Sequence, residues 1–225
     1  MCGRFVLYSS KERIAESFGV DPSSLNLVAR WETSYNIAPD TYCMIIRPSD
    51  LGWREMAFVS WGLLPHWAKS AGDRRFINAR GETLFEKPAF RAAVRRQRCL
   101  VPADGYYEWK AAVGRKVPYY FSMKGDMPFA MAGVWDSWER GRDQVVSFTI
   151  VTTTANELSA PIHDRMPAIL KPEYYDLWLD AKVADPEQFK PLLAPYSAKS
   201  MQCWPVSAQV GNPDNQTPDL IKPVK

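Results

Sequence analysis

Prolines occur along the whole chain, and their spacing constrains the fold more than any other feature of the sequence. The 225 residues include 18 prolines. Proline lacks a backbone N–H and fixes φ, so it ends helices and interrupts central strands. The chain is therefore expected to fold from many short elements joined by turns.

The pattern of apolar residues between these breaks predicts more strands than helices. Strands are expected at residues 3–8, 42–47, 55–61, 99–101, 105–110, 117–122, 129–135, 146–153 and 201–206. Helices are expected at residues 10–18, 88–96, 172–180 and 186–193, the first capped by Ser10 and ended by Gly19. A turn near Gly114 would join two of the strands into a hairpin.

The order of these elements does not alternate strictly between strand and helix. It predicts an α+β fold with a mostly antiparallel, curled and barrel-like sheet, a few peripheral helices and a single domain. That domain is expected to span residues 1–212. Residues 213–225 are expected to form an extended C-terminal tail.

Composition favours a reduced, cytoplasmic globular protein. Apolar residues make up 46% and charged residues 24%, and no apolar run is long enough to cross a membrane. No apolar segment of a signal peptide follows the first residues. Four cysteines are scattered, at positions 2, 43, 99 and 203, which favours free thiols; the last three are expected in the core. With two histidines, no C-x-x-C and no phosphate-binding loop, we expect neither a metal site nor a cofactor.

Positive charge is concentrated between residues 69 and 98, which hold nine Lys and Arg against three acids. A tryptophan-containing segment, residues 61–67, precedes this basic stretch. Cations beside exposed aromatic rings are typical of a groove for single-stranded nucleic acid. The alternative is an ordinary solvated surface beside buried tryptophans.

Cys2 is a candidate nucleophile because it follows the initiator methionine. Removal of Met1 would leave an α-amine and a thiol on adjacent carbons. An aldehyde can react with the amine to give a Schiff base and then with the thiol, which closes a thiazolidine ring. The alternative is an inert cysteine at the start of a strand.

Seven segments, taken in order, resemble one protein family. They are Met-Cys-Gly-Arg-Phe (1–5), Tyr-Asn-Ile-Ala-Pro (35–39), Trp-Gly-Leu-Leu-Pro-His-Trp (61–67), Ile-Asn-Ala-Arg-Gly-Glu-Thr (77–83), Cys-Leu-Val-Pro-Ala-Asp-Gly-Tyr-Tyr-Glu-Trp (99–109), Ile-His-Asp-Arg-Met-Pro (162–167) and Pro-Val-Ser…Val-Gly-Asn (205–212). This set resembles the SOS-response-associated peptidase (SRAP) family of abasic-site processing proteins. The resemblance runs from residue 1 to about residue 212.

The resemblance implies a function in the DNA damage response and a set of site residues. Such proteins bind single-stranded DNA, and Cys2 captures the ring-opened sugar of an abasic site as a thiazolidine. Asn78 would hold the reacting end, Glu108 would act as acid and base, and His163 would assist Schiff-base formation and reversal. The DNA-binding residues implied are Arg4, Arg80 and Arg165 near phosphate, Trp67 and Trp109 against bases, and Asn36 and Pro39 in the second motif. Peptidase activity would be limited to release of Met1.

The residue types themselves also allow purely structural roles for these side chains. Glu108 alternates with Tyr106 along a strand, so a solvent-facing carboxylate is the simple alternative. His163 lies in a proline-bounded loop, where Asp164 could fix its tautomer while Arg165 competes for that carboxylate. Asn78 could equally be a turn residue.

Two other functions stay open on the sequence. An N-terminal-nucleophile amidotransferase also begins with Met-Cys-Gly, and a non-catalytic single-strand-binding module would need no Cys2. For the favoured function we expect a monomer that acts at the nucleoid, with abasic single-stranded DNA as partner, no membrane contact, and the replication machinery as a further partner.

Overall fold

The computed structural model describes residues 2–183 and 185–224, and strands dominate it. In chain order the strands are β1 (Phe5–Leu7), β2 (Ser34–Ile37), β3 (Tyr42–Pro48), β4 (Arg54–Trp61), β5 (Asn78–Arg80), β6 (Arg98–Ala103), β7 (Gly105–Ala112), β8 (Arg115–Met123), β9 (Phe129–Arg140), β10 (Asp143–Thr154), β11 (Arg165–Pro167), β12 (Ile169–Leu170) and β13 (Met201–Pro205). The α-helices are α1 (Lys11–Phe18), α2 (Ala93–Arg96), α3 (Tyr175–Leu179) and α4 (Pro186–Phe189). Short 3₁₀ turns connect many of them.

One sheet closes into a barrel. Its order β10-β4-β3-β6-β9 returns to the start because β9 also pairs with β10. Closure leaves no unpaired strand edge within the ring. Strands β5, β11 and β12 attach to this barrel, and β10 pairs in parallel with β4 and with β5. The second sheet is antiparallel, in the order β13-β8-β7-β1-β2.

The predicted fold class is confirmed: the protein is α+β, mostly antiparallel and barrel-like, with few helices in a single domain. The predicted hairpin is β7–β8, with Gly114 at a positive φ of 72° in its turn. Ser10 caps α1 by accepting the N–H of Arg13, and Gly19 ends the helix at φ 59°.

Several element predictions were wrong in extent. Helix α2 covers only the end of the predicted 88–96 segment, and α4 only the first half of 186–193. The region predicted as one helix at 172–180 begins as a 3₁₀ turn before α3. Strands β2, β5, β11 and β12 were not predicted, because each has two to four residues and depends on its partner strand for stability.

The interior holds two of the three cysteines predicted to be buried. Cys43 and Cys99 are fully buried, whereas Cys203 is only partly covered, which corrects its predicted place in the core. Cys203 lies on β13, a strand at the edge of its sheet that pairs only with β8 among the described strands. Edge strands leave one side of each residue open.

Arg98 belongs to the core rather than to a basic surface. Its guanidinium donates to the carbonyls of Val94, Trp178, Asp180 and Val183 and lies 4.5 Å from the ring centre of Phe189. Burial lowers its pKa to about 10. One of the nine bases in the predicted basic stretch therefore stabilises the fold.

The C-terminal segment 213–224 packs on the protein. Leu220 is buried, Gln216 donates to the carbonyl of Asn36, and the N–H of Val224 donates to the carbonyl of Pro205. None of the helices in the described parts of the chain combines the length and the apolar character needed to cross a membrane.

Candidate active site

Cys2 lies beside strand β7. Strand β1 pairs with β7 through Phe5 opposite Tyr106, and the N–H of Tyr107 donates to the carbonyl of Arg4 at 3.0 Å. Glu108 is the next residue along β7, and its charge acts on the thiol of Cys2. Cys2 is fully buried. Met1, whose removal the sequence predicts, lies outside the described residues.

Asn78 holds the backbone of Cys2. Its Nδ2 donates to the Cys2 carbonyl at 2.9 Å. Asn78 is the first residue of β5, and it is fixed there by the parallel pairing with Ile150 of β10. Its Oδ1 is buried and accepts no hydrogen bond from any described residue. The side chain therefore offers one further acceptor next to Cys2.

Glu108 is a buried carboxylate on β7, not a solvent-facing one. It is 3% exposed and lies on the same strand face as Tyr106, while Tyr107 and Trp109 pack in a different cluster on the other face. Burial raises the pKa of Glu108, and His163 is among the groups that oppose the shift. A carboxyl group with a raised pKa can give and take a proton nearer neutral pH.

The turn that carries His163 is fastened to the same strand. Ser159 Oγ lies 3.3 Å from the hydroxyl of Tyr106, and the N–H of His163 donates to the Ser159 carbonyl. The N–H of Arg165 donates to Nδ1 of His163 at 3.0 Å, and an Asp164 carboxylate oxygen lies at the same distance from Nδ1.

These two contacts of Nδ1 require different protonation states. An amide N–H needs Nδ1 to accept, whereas a carboxylate needs Nδ1 to carry a proton. The amide is fixed at the start of β11, while the Asp164 side chain is 84% exposed to solvent. In the neutral ring, Nδ1 therefore accepts from Arg165, and the proton resides on Nε2.

The thiol of Cys2 is strongly protonated in this environment. Burial raises its pKa, and the nearby charge of Glu108 raises it further. The pKa of Tyr106 is raised chiefly by burial, and the charges of Cys2 and Glu108 raise it further. Cys2, Tyr106 and Glu108 thus form one electrostatic cluster, with His163 acting on Glu108.

A groove of about 610 Å³ begins at Asn78. It contains three cations, and Arg74 lies 5.4 Å from the ring centre of Phe76. Trp67 is half exposed, with its Nε1 donating to the carbonyl of Pro88. The lining is Trp67, Arg74, Phe76, Asn78, Arg80, Thr83, Lys87, Pro88, Ala89 and Phe90. Predicted site residues Trp67, Asn78 and Arg80 therefore share one surface.

The remaining predicted DNA-binding residues lie outside this groove. Arg4 donates to Oδ1 of Asn36 and to the carbonyls of Val210 and Gly211. Asn36 is almost fully buried and supports the loop at 210–215 through its amide. Pro39 lines a separate cleft of about 410 Å³.

Trp109 and Arg165 are also engaged within the fold. Trp109 packs in the smaller apolar cluster with Tyr107. Arg165 is 8% exposed, and both of its terminal nitrogens donate hydrogen bonds to the carboxylate of Glu82. Arg165 therefore pairs with Glu82 and does not compete for Asp164.

Two partners at the site were not predicted. Tyr106 was placed on the face of Glu108 by strand alternation, but its contact with Ser159 was not foreseen. Glu82 pairs with Arg165 across 83 positions, and no local pattern signals such a contact.

Volume alone does not identify the site. A cavity of about 670 Å³, larger than the groove, is lined by residues such as Phe85, Thr153 and Leu193, and unlike the groove it does not reach Asn78, the residue that contacts Cys2. Its lining mixes acids and bases without a buried nucleophile. Within residues 2–183 and 185–224, no three His, Cys, Asp or Glu side chains are grouped as for a metal ion.

The comparisons with known proteins agree on one family. Residues 1–213 match the family model "SOS response associated peptidase (SRAP)". The chain is 40% identical to the abasic site processing protein YoqW of Bacillus subtilis, over 99% of both chains. It is 32% identical to YedK of Escherichia coli over the full length of both, and 31% identical to HMCES of Gallus gallus over 87% of this chain and 68% of that one. Both are likewise named abasic site processing proteins.

A solved structure agrees along the whole chain. A protein from Bacteroides thetaiotaomicron superposes with a TM-score of 0.89 at 28% identity and covers 100% of both chains. The family match spans nearly every described residue, including Cys2, Asn78, Glu108 and His163. The chain therefore belongs to the SOS response associated peptidase (SRAP) family.

Proposed function

We propose that this protein binds single-stranded DNA and captures abasic sites covalently through Cys2. One observation carries the proposal: Cys2, Asn78, Glu108 and His163 come from four distant parts of the chain and meet around the N-terminal residue. The relatives named abasic site processing proteins supply the substrate class.

The reaction begins with the amine that Met1 removal exposes. Its lone pair attacks the aldehyde carbon of the ring-opened sugar, which forms a C–N bond and a carbinolamine. Protonation of the hydroxyl releases water and leaves an iminium ion. The thiol sulfur then attacks the same carbon and gives up its proton, which closes the thiazolidine with loss of one water overall.

Glu108 and His163 are suited to the proton transfers. Glu108 is buried with a raised pKa, so it can protonate the leaving hydroxyl and later accept the thiol proton. His163, with its proton on Nε2, can protonate the sugar ring oxygen and favour the open aldehyde. Asn78 orients the N-terminal residue without carrying charge.

The groove at Asn78 supplies the DNA contacts in this proposal. Arg74, Arg80 and Lys87 would neutralise phosphates, and the exposed ring of Trp67 would stack on a base. Arg4, Asn36, Pro39, Trp109 and Arg165, the other residues that the family resemblance implies, would act by supporting this surface or by contacting DNA beyond the groove.

The test is adduct formation. Protein whose mass shows loss of Met1 is mixed with single-stranded DNA containing one abasic site and run on a denaturing gel. We expect a heat-stable shift that Cys2→Ala abolishes. Cys203→Ala is the matched control, because it removes a partly exposed thiol that does not belong to the N-terminal aminothiol, and it should form the adduct normally.

Other outcomes would contradict the proposal. Absence of a shift with the processed protein would leave a non-catalytic DNA-binding module. An adduct that persists in Cys2→Ala would remove Cys2 from the reaction. Glutamine hydrolysis that depends on Cys2, without any adduct, would favour the amidotransferase alternative.

A further inference from the structure

Glu82 and Arg165 form a bidentate ion pair next to the site. The terminal nitrogens of Arg165 lie 2.6 and 2.9 Å from the two carboxylate oxygens of Glu82. One of them also donates to the Thr152 carbonyl at 2.6 Å. The hydrogen bond from Arg165 is the largest of the effects that lower the pKa of Glu82. Paired bonds of this kind fix direction as well as distance.

The pair joins two segments that carry site residues. Glu82 follows β5, which begins at Asn78, and Arg165 begins β11 directly after the turn of His163. Strand β10 lies between these segments and pairs with both of them through Thr152 and its neighbours. The ion pair therefore spans β10 and holds the Asn78 and His163 segments in register.

Arg165 reaches His163 through its own backbone. Its N–H is the donor to Nδ1 of His163, so that hydrogen bond depends on how firmly the start of β11 is held. The competing partner of Nδ1 is the exposed carboxylate of Asp164. If the ion pair with Glu82 were lost, the start of β11 would be held less firmly, the amide could move away from Nδ1, and the ring could place its proton on Nδ1 toward Asp164.

We infer that Glu82 is a positioning residue for His163: by holding Arg165, it fixes Nδ1 of the imidazole as an acceptor and leaves the ring proton on Nε2. The expected effect of Glu82 on capture rests on the proposed function. Its expected effect on the tautomer of His163 does not, because the tautomer exists without DNA.

The first experiment measures the tautomer directly. Nitrogen chemical shifts of the imidazole rings are recorded by NMR on ¹⁵N-labelled protein at pH 8, and a His66→Gln variant assigns the two histidines. We expect a single Nε2–H form of His163 in the unmodified protein. We expect Glu82→Gln to add an Nδ1–H form, because glutamine cannot make the bidentate ion pair.

The second experiment measures capture. Glu82→Gln should form the adduct about tenfold more slowly, since a displaced catalytic group costs rate, while its affinity for undamaged single-stranded DNA stays within about twofold. Glu86→Gln is the matched control: Glu86 is exposed, four residues further along, and makes no side-chain hydrogen bond or ion pair with any described residue. It should change neither the tautomer nor the rate.

The outcomes separate this inference from the proposed function. If Glu82→Gln keeps the single Nε2–H form, or captures at the rate of the unmodified protein, Glu82 does not position His163. Where that variant loses stability, Arg165→Lys tests the same pair from its other end, with the same expected mixture of tautomers. A protein that forms no adduct at all would refute the proposed function, and the NMR comparison would still decide the role of Glu82.

Discussion

Removal of a single charge from the groove should change how strongly DNA binding depends on salt. The groove presents three cations, Arg74, Arg80 and Lys87. Each phosphate neutralised on a single strand contributes about 0.7 to the slope of log affinity against log salt. Three contacts give a slope of about −2, which is a loss of roughly 20-fold in affinity between 50 and 200 mM salt. For Arg80→Ala the slope should be about −1.4, and the loss roughly sevenfold.

The measurement uses fluorescence anisotropy with a labelled single strand that has no abasic site, in a Cys2→Ala background so that no covalent step interferes. Salt is varied over that range, and several unrelated sequences are compared. Because phosphate contacts carry no sequence information, Arg80→Ala should weaken binding to all of them by a similar factor.

Arg96→Ala is the control that makes this prediction specific to the groove. Arg96 is exposed and belongs to the same basic stretch, but it does not line the groove. It removes the same charge, so a protein that responds only to net charge would show the same slope in both variants. Equal slopes in Arg80→Ala and Arg96→Ala, or a slope unchanged by Arg80→Ala, would refute the assignment of the groove.

Two further changes test the buried charged groups. Glu108→Gln should slow adduct formation on the order of 100-fold. Burial holds the pKa of Glu108 above its unfolded value, so ionisation of this carboxyl group costs stability as pH rises through the folded pKa. In urea titrations the variant should therefore gain stability relative to the unmodified protein from pH 4 to pH 8. Equal differences at the two pH values would contradict this. Arg98→Ala should lower the free energy of unfolding by about 4 kcal/mol, because it leaves buried carbonyls without a hydrogen-bond donor. It should leave the salt dependence of DNA binding unchanged. A stable variant with a smaller salt slope would place Arg98 at the DNA.

The fold was predictable from the sequence where an element's signals are local. Helix α1 has its cap at Ser10 and its stop at Gly19, and the β7–β8 hairpin has Gly114 in its turn. Strands such as β5 and β11 have no such signals. Each is three residues long and exists because β10 offers it hydrogen bonds, so only the assembled barrel reveals it.

The site was predictable to the extent that strand alternation and motif order determine it. Alternation placed Glu108 and Tyr106 on one face, but it could not show that both faces of β7 are buried there, as Tyr106, Tyr107 and Glu108 all are. Residue type was least informative for arginine. Arg80 lies exposed in the groove, Arg98 is buried among carbonyls, and Arg165 is paired with Glu82, although all three are equally basic in the sequence.

The burial of Cys2 determines the order of bond formation in the proposed reaction. Since burial and the charge of Glu108 raise the pKa of the thiol, almost no thiolate exists at neutral pH to attack first. The reference pKa of an α-amine is about 8, and burial favours its neutral form, so the amine is the first nucleophile. The iminium ion that it forms is a cation next to Cys2 and Glu108, and a cation favours both the thiolate and the carboxylate. The thiol is thus activated only after the sugar is attached. Borohydride added during capture should therefore trap an amine-linked adduct in Cys2→Ser, which keeps the amine but has no thiol; failure to trap one would mean that sulfur attacks first.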